Sequence, residues 1–271
     1  MLKDLSKKDL LGLLAIPETR IPEVLILRGT RNLKIAYRRH KKYFSGIHEI
    51  GSPNAVFEDV FIGKYKGANI AYASVYGDCM ASEVTHVFGA IGTKLVIQTG
   101  TCGGLAKNLF PGDLVCAGSG YCGEGAAQYY LPRRKTIRAS LELLKDMNIP
   151  TYTGRVYTTS ALFAEGGAEI RKWHDAGYAA VDMETATTFA VAEYFGMKKL
   201  AFLKIFDNPF AGEHLMSKSA SADQLRKRGE FNLIKTLFAV IDRYIGRCGA
   251  LPSPTPSRSK IQSPGSGSGV R

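Results

Sequence analysis

Near-continuous apolar runs restrict the fold of this sequence more than any other feature. The segments "EVLIL" (23–27), "KLVIQ" (94–98) and "LAFLKIF" (200–206) carry apolar side chains at almost every position. A strand with one solvated face alternates apolar and polar residues, whereas a strand buried on both faces reads as a continuous apolar run. These runs therefore predict a central sheet that is covered on both sides.

Segments with helical character lie between the apolar runs, and no internal repeat is present. The segment "KYKGANI" predicts a turn between two neighbouring strands. This order predicts an α/β fold: a single domain, residues 1–247, with a central mixed β-sheet flanked by helices. Further strands are expected at 56–62, 69–75, 113–117, 152–158 and 178–182, and helices at 32–43, 80–92, 136–147, 167–176, 184–196 and 221–246.

Composition limits the kinds of binding partner and the cell compartment that we expect for this protein. No run approaches about 20 apolar residues, so no membrane span is expected. The net charge is +12, but the basic residues are scattered and no aromatic residues interleave with them, so we expect a small anionic ligand rather than nucleic acid. Five cysteines without a CxxC pair, and a charged N-terminal segment without a signal-peptide pattern, favour the cytoplasm. Residues 248–271, rich in Pro, Ser and Gly, are expected to be a disordered tail.

Motifs for common cofactors do not fit this chain. The segment "GSGYCG" (118–123) matches G-x-G-x-x-G, but a dinucleotide site needs a helix that begins within the glycines, and Pro132 follows shortly. The sequence contains no GxxxxGK[ST], HExxH or GxSxG motif, and its five histidines are scattered. We therefore expect neither a metal site nor a bound cofactor.

The segment "VIQTGTCGGL" (96–105) allows two interpretations. Its glycines could serve only to turn the chain after a buried strand. Alternatively, Gly100, Thr101 and Gly103 could offer N–H and hydroxyl donors to an oxyanion at the strand's carboxyl end. Local spacing does not decide between them.

Two later segments place acidic residues at strand ends. In "VDMETA", Glu184 stands in the first turn of a helix, where it could stabilise the helix dipole or bind a sugar diol. In "KIFDNP", Asp207 ends a buried strand. Ligands of α/β sheets bind at the carboxyl ends of strands, so both acids are candidates for a site.

These blocks resemble the nucleoside phosphorylase family, which includes the hexameric purine nucleoside and uridine phosphorylases and the methylthioadenosine nucleosidases. "VIQTGTCGGLAKNLFPGDLV" is similar to the family's phosphate block, "VDMETATTFAVAEYFGM" to its ribose-binding helix start, and "KIFDNP" to its catalytic strand end. "LILRGTRN" resembles its first glycine loop, and "TTSALFAEG" its base-stacking segment. The similarity spans about residues 23–245.

The resemblance implies a role for each matching residue. Asp207 would protonate a purine base at N7, and Glu184 would bind the ribose hydroxyls with Asp182 and Met183 beside it. The remaining implied contacts are Phe163, Gly103 and Gln128 for the base, and Gly29, Arg28, Arg31, Gln98 and Thr101 for phosphate.

The phosphate half departs from the family pattern. The family phosphorylases carry an arginine where this chain has Gln98, and their first-loop arginine is displaced or replaced here by Arg31 or Lys34. The arginine that a neighbouring subunit normally lends falls near Val56. Phosphate binding depends on charge-assisted hydrogen bonds, so these positions bear directly on the choice of nucleophile.

The resemblance predicts phosphorolysis of a nucleoside, with phosphate as co-substrate, giving free base and ribose 1-phosphate. A basic first loop, with Arg28 and Arg31 and no acid, favours an anion over a water nucleophile. The alternatives are a nucleosidase that uses water and a non-catalytic nucleoside-binding protein. The family also implies a homodimer or a hexamer built as a trimer of dimers.

Overall fold

The computed structural model describes residues 4–51, 56–214, 216–217 and 219–249. Its helices are α1 (Lys7–Leu13), α2 (Leu33–Lys41), α3 (Gly77–Ile91), α4 (Ala127–Tyr130), α5 (Gly167–Asp175), α6 (Thr185–Tyr194) and α7 (Ala220–Gly249). Its strands are β1 (Val24–Gly29), β2 (Ser45–Glu49), β3 (Val60–Tyr65), β4 (Ala68–Val75), β5 (Leu95–Gly104), β6 (Leu114–Cys122), β7 (Thr136–Arg138), β8 (Tyr152–Thr158), β9 (Tyr178–Asp182) and β10 (Lys198–Asp207). The first two residues of the predicted tail end α7, and residues 250–271 lie outside the described residues.

The described strands form one mixed sheet. Along it the order is β2, β3, β4, β1, β5, β10, β6, β8 and β9, with β7 on the edge of β6. β9 also pairs with the end of β5, so β5, β10, β6, β8 and β9 close into a ring. β1, β4, β5 and β10 run parallel, whereas β10 and β6 are antiparallel. The predicted α/β domain with a central mixed sheet is confirmed.

Both faces of the sheet are covered, which explains the apolar runs. In β1, Leu25 and Leu27 pack with α1 and α3, while Val24 and Ile26 face the opposite way and pack with α7. All six residues of β1 are buried. Since successive side chains of a strand point to opposite faces, burial of every position requires a helical layer on each side.

Two local predictions had opposite outcomes. The predicted turn joins β3 to β4 through Lys66 and Gly67, whose φ angles of 48° and 88° are those of a tight hairpin turn. The predicted helix over 136–147 is wrong: Thr136–Arg138 pairs with β6 as β7, and a short 3-10 turn, Leu141–Leu144, follows. Backbone pairing with the open edge of β6 outweighs the preference of this segment for a helix.

The segment "GSGYCG" is the end of β6 rather than a loop that opens into a helix. A Cβ on Gly120 would lie 2.9 Å from Cα of Ala186 in α6, closer than real Cβ atoms approach. Because Gly120 has no side chain, α6 can pack closely against the sheet at this point. The spacing of the glycines in this segment therefore does not indicate a dinucleotide-binding site.

A buried ion cluster joins β1, β10 and α7. Glu230 accepts hydrogen bonds from Nη2 of Arg28 and Nζ of Lys204, each at 2.8 Å. Burial alone would raise the pKa of Glu230, but the charges of Arg28 and Lys204 outweigh it and lower this pKa to about 2. Removing one member of a buried ion pair leaves an uncompensated charge, which costs far more than loss of a surface pair.

We predict that Glu230→Ala lowers the free energy of unfolding by about 3–5 kcal/mol at pH 7, as measured by denaturant titration. The exposed pair between Lys198 and Glu142 provides the control, and Glu142→Ala should cost less than about 1 kcal/mol. The pKa of Glu230 is lowered on folding, so its contribution is complete above about 4.5 and should disappear as the pH falls towards about 2. Equal losses from both variants would contradict the assignment.

Candidate active site

A cavity opens where β5 changes partners. β1 pairs with β5 as far as Thr99, and β9 pairs with it at Gly103 and Gly104. Thr101 and Cys102 lie between these pairings and border a cavity of about 570 Å³. The lining residues are Gly29, Thr30, Arg31, Tyr76, Thr101, Cys102, Gly103, Leu162, Phe163, Glu165, Ile170, Val181, Asp182, Met183, Glu184, Phe206, Asp207, Pro209, His214 and Met216.

Glu184 lies on one wall, immediately before α6. Its Oε1 accepts a hydrogen bond from the backbone N–H of Gly77 at 2.8 Å. Burial, and then the charge of neighbouring Asp182, raise the pKa of Glu184. The remaining carboxylate oxygen, Oε2, lies against Gly29, where a Cβ would approach it to 2.7 Å. A glycine at the end of β1 is therefore required for this carboxyl group to occupy its position.

Asp182 lines the same wall but is already hydrogen-bonded within the protein. Its Oδ1 accepts from Oγ1 of Thr158 at 2.7 Å, and its Oδ2 accepts from the backbone N–H and Oγ1 of Thr185 at 2.9 and 2.5 Å. Asp182 thus fixes the start of α6. Its predicted contact with ribose stays a prediction, because the threonines supply three donors and a carboxylate has about four acceptor sites.

Asp207 ends β10 on the far wall and is 7% exposed. Burial raises its pKa to about 6 against the opposing charge of Arg226. The guanidinium of Arg226 is held in place, because its Nε donates to the carbonyl of Phe206 at 2.7 Å. A carboxyl group with a pKa in this range is protonated often enough near neutral pH to donate a proton.

The sequence analysis did not single out Arg226, which is one of many scattered basic residues. It lies nineteen positions after Asp207, on α7, and this spacing matches no motif that can be recognised in the sequence. Glu165 was missed for the same reason, although it lines the cavity.

The residues predicted to contact the base lie in different places in the structure. Phe163 lies at the rim and is 94% exposed, so it offers an open aromatic face, and Gly103 lines the interior. Gln128 is exposed on α4 and is absent from the described lining, so its predicted base contact needs correction. Met183 lines the wall beside Glu184, and its predicted contact with the sugar stays a prediction.

Three of the five predicted phosphate contacts, Gly29, Arg31 and Thr101, line the cavity. Arg28 does not, because β1 directs its side chain to the opposite face, where Glu230 pairs with it. Gln98 is fully buried beside Thr188, whose Oγ1 donates to its Oε1 at 3.3 Å. Among the described lining residues, Arg31 is the only arginine or lysine; Lys34, the alternative cation, is exposed on α2 outside the lining.

The described part of the chain has neither a metal-binding cluster nor a membrane-spanning helix. No group of three or more His, Cys, Asp or Glu residues there could hold a metal ion. No helix there is both long enough and apolar enough to cross a bilayer.

We predict a pH-dependent stability effect from Glu184. Its pKa is raised on folding, so the folded state keeps a proton that the unfolded chain releases above about 4.5. The free energy of unfolding of the wild type, relative to Glu184→Gln, should therefore fall as pH rises from 5 to 8, by up to about 1.4 kcal/mol per pH unit. Denaturant titrations at several pH values would measure this. Exposed Glu169→Gln is the control, and a constant difference for Glu184→Gln would contradict burial of the carboxyl group.

The fold has counterparts among solved structures. Uridine phosphorylase from Vibrio fischeri superimposes with a TM-score of 0.69 and 19% identity, covering 84% of this chain and 96% of that one. Its complex with 6-hydroxy-1-naphthoic acid gives a TM-score of 0.67 at 19% identity, over 87% and 95% of the two chains. At this level of identity the similarity establishes the fold.

Sequence comparison gives the family. The DeoD-type purine nucleoside phosphorylase of Clostridium beijerinckii is 28% identical over 166 residues, covering 56% of this chain and 69% of its own. Guanosine phosphorylase of Halorubrum lacusprofundi is 23% identical over 181 residues, covering 64% and 74%. The family model described as the phosphorylase superfamily matches residues 47–239, most of the described domain. The chain therefore belongs to the phosphorylase superfamily.

Proposed function

We propose that this protein is a purine nucleoside phosphorylase that cleaves the N-glycosidic bond with inorganic phosphate, giving free base and ribose 1-phosphate. One observation carries the proposal: Glu184, Asp207 and Arg31 line a single cavity. Glu184 is a buried acceptor for hydrogen bonds from sugar hydroxyls, Asp207 is a proton donor, and Arg31 is a cation. These are the three groups that glycosidic phosphorolysis needs. The relatives named purine nucleoside and guanosine phosphorylase support the same class of reaction and a purine base.

The chemistry follows from the positions of the three groups. Glu184 accepts hydrogen bonds from ribose hydroxyls and so fixes the sugar against Met183. As the bond between C1′ and the base nitrogen breaks, its electron pair moves into the base, and Asp207 supplies a proton at N7. A phosphate oxygen then bonds to C1′, whose ring has acquired oxocarbenium character. Because Asp207 supplies this proton, the purine leaves as a neutral base and not as an anion.

Arg31 and Thr101 supply the proposed anion contacts. The guanidinium provides charge and a planar set of donors that matches phosphate, and the Thr101 hydroxyl and nearby backbone N–H groups of β5 provide neutral donors. The β1–α2 segment at the cavity contains Thr30 and Arg31 and no carboxylate that could orient a water. This chemistry favours phosphate over water as the nucleophile.

The proposed function is tested by incubating the protein with adenosine, inosine, guanosine or uridine, with and without phosphate, and separating free base by chromatography. We expect purine release that requires phosphate and forms ribose 1-phosphate in equal amount. Release that does not depend on phosphate would identify a nucleosidase. Binding of nucleosides without release under either condition would identify a non-catalytic binding protein.

We predict that Asp207→Asn lowers kcat for purine nucleosides by about two to four orders of magnitude, because the amide cannot donate an acidic proton. The KM should change little, since the amide keeps the size of the side chain. Steady-state kinetics under saturating phosphate would measure both. Asp175→Asn, at an exposed position ending α5, should leave kcat unchanged. Near-normal turnover by Asp207→Asn would remove this residue from the mechanism.

We predict that Arg31→Ala raises the KM for phosphate about 10- to 100-fold, as expected for loss of a charge-assisted hydrogen bond worth about 1.5–3 kcal/mol. Phosphate titrations at saturating nucleoside would measure it. Lys34→Ala removes the same charge three residues away, outside the cavity lining, and is the matched control. If the two variants shift the KM equally, Arg31 acts only through long-range attraction.

A further inference from the structure

The strand that carries Asp207 is irregular immediately before this residue. β10 pairs with β5 residue for residue as far as Ile205, opposite Cys102, but the next residue of β5, Gly103, lies opposite Asp207. Phe206 is therefore an extra residue in β10. Such a bulge changes the face to which the following side chain points, and Phe206 and Asp207 both line the cavity. The direction of the Asp207 side chain thus depends on what holds the end of this strand.

The carboxyl group of Asp207 is not held by another side chain. In the part of the chain that the structure describes, no other residue donates a hydrogen bond to it. Its position is therefore set by the backbone on either side. Before it, the carbonyl of Phe206 accepts a hydrogen bond from Nε of Arg226 at 2.7 Å, and the guanidinium lies 4.3 Å from the centre of the Phe206 ring. After it comes Asn208.

Asn208 is 3% exposed, and all of its polar atoms have partners. Its Nδ2 donates to the carbonyls of Ala106 and Leu109, both at 2.9 Å, and its Oδ1 accepts from the N–H of Ala211 at 3.1 Å. Its backbone N–H donates to Oε2 of Glu213 at 3.0 Å, and its carbonyl accepts from two N–H groups of the following turn. A buried amide with both donors and its oxygen in use has one orientation. Asn208 therefore fixes the end of β10 to a loop about 100 residues earlier in the chain.

We propose that Asn208 is a positioning residue for proton transfer: by joining the end of β10 to the loop between β5 and β6, it holds the Asp207 carboxyl group towards the base. This inference rests on the proposed function, because it takes Asp207 as the proton donor at N7. A displacement of about 1 Å can lower the rate of a catalysed step about 100-fold. A residue that only stabilised the loop would instead lower the turnover of every substrate alike.

Two nucleosides separate proton transfer from the other steps. Guanosine needs a proton at N7 if its base is to leave as a neutral molecule. In 7-methylguanosine a methyl group already occupies N7 and the ring carries a positive charge. When its bond to C1′ breaks, the electron pair of that bond neutralises the ring, and 7-methylguanine leaves without a proton. The ratio of kcat/KM for guanosine to that for 7-methylguanosine therefore reports proton transfer. Measured on one preparation, it does not depend on the fraction of protein that is folded.

We predict that Asn208→Ser lowers this ratio about 10- to 100-fold. Serine still accepts a hydrogen bond from the N–H of Ala211 but is too short to donate to the two loop carbonyls, so it isolates the loss of the link to the loop. Asn108→Ala, at an exposed asparagine of the same loop, is the control and should leave the ratio unchanged. In the Asp207→Asn background, Asn208→Ser should lower the ratio little further, because Asn208 acts through Asp207.

The pKa of Asp207 gives a second measurement, which does not require turnover. Burial raises this pKa to about 6. If Asn208→Ser releases the carboxyl group from its buried position, the pKa should fall towards the ordinary aspartate value of about 3.9. A carbon-13 NMR titration of the whole protein with labelled aspartate would measure it, and Asp207→Asn identifies the signal. In the described structure, the other charged or titratable groups that interact with Asp207 are Cys102, Glu165, Glu213, His214 and Arg226.

The two measurements distinguish failure of this inference from failure of the proposed function. If the wild type is active, a ratio that Asn208→Ser leaves unchanged overturns the inference, whatever the total loss of activity, and the proposed function stands. If the wild type releases no base from either nucleoside, the proposed function fails and the NMR titration decides. A lowered pKa of Asp207 in Asn208→Ser then supports its positioning by Asn208, and an unchanged pKa rejects it.

Discussion

The backbone hydrogen bonding of β5 determines the arrangement of the molecule. This strand pairs with β10 along one edge, but along its other edge β1 pairs only as far as Thr99, and β9 takes over at Gly103. A buried strand must satisfy its N–H and C=O groups, so a change of partner leaves a short stretch whose groups face an opening instead of another strand. The cavity occupies that opening, and the carboxyl ends of β1, β9 and β10 converge on it.

Desolvated acids dominate this opening. Of the described lining residues, Glu165, Asp182, Glu184 and Asp207 are carboxylic acids, and burial is the first cause of the raised pKa of each. These four acids have different neighbours, and the neighbours give each acid a different role. Threonine donors hold Asp182, a backbone N–H orients Glu184, and Arg226 adjusts the pKa of Asp207. Glu165 has no such partner among the described residues.

Sequence patterns predicted the sheet, because burial of a strand on both faces leaves a direct compositional signal. They also selected Glu184 and Asp207, since strand ends that carry acids can be recognised locally. Arg28 could not be placed, because its partner Glu230 is 202 residues away and β1 turns its side chain away from the cavity. Segment 136–147 has helical composition, but an open edge of β6 was available to pair with it. In both cases a contact distant in sequence decided the outcome.

The closed ring of strands also has a consequence for the order in which this protein folds. β10 lies between β5 and β6, and its residues are about 100 positions later in the chain than those it pairs with in β5. Pairing at such separation incurs a large loop-closure entropy before its contacts form, which makes it slow compared with local structure. During synthesis, β1 to β5 can associate early, but the ring stays open until β10 has left the ribosome. The wall that carries Asp207 is therefore the last part of the cavity to be assembled.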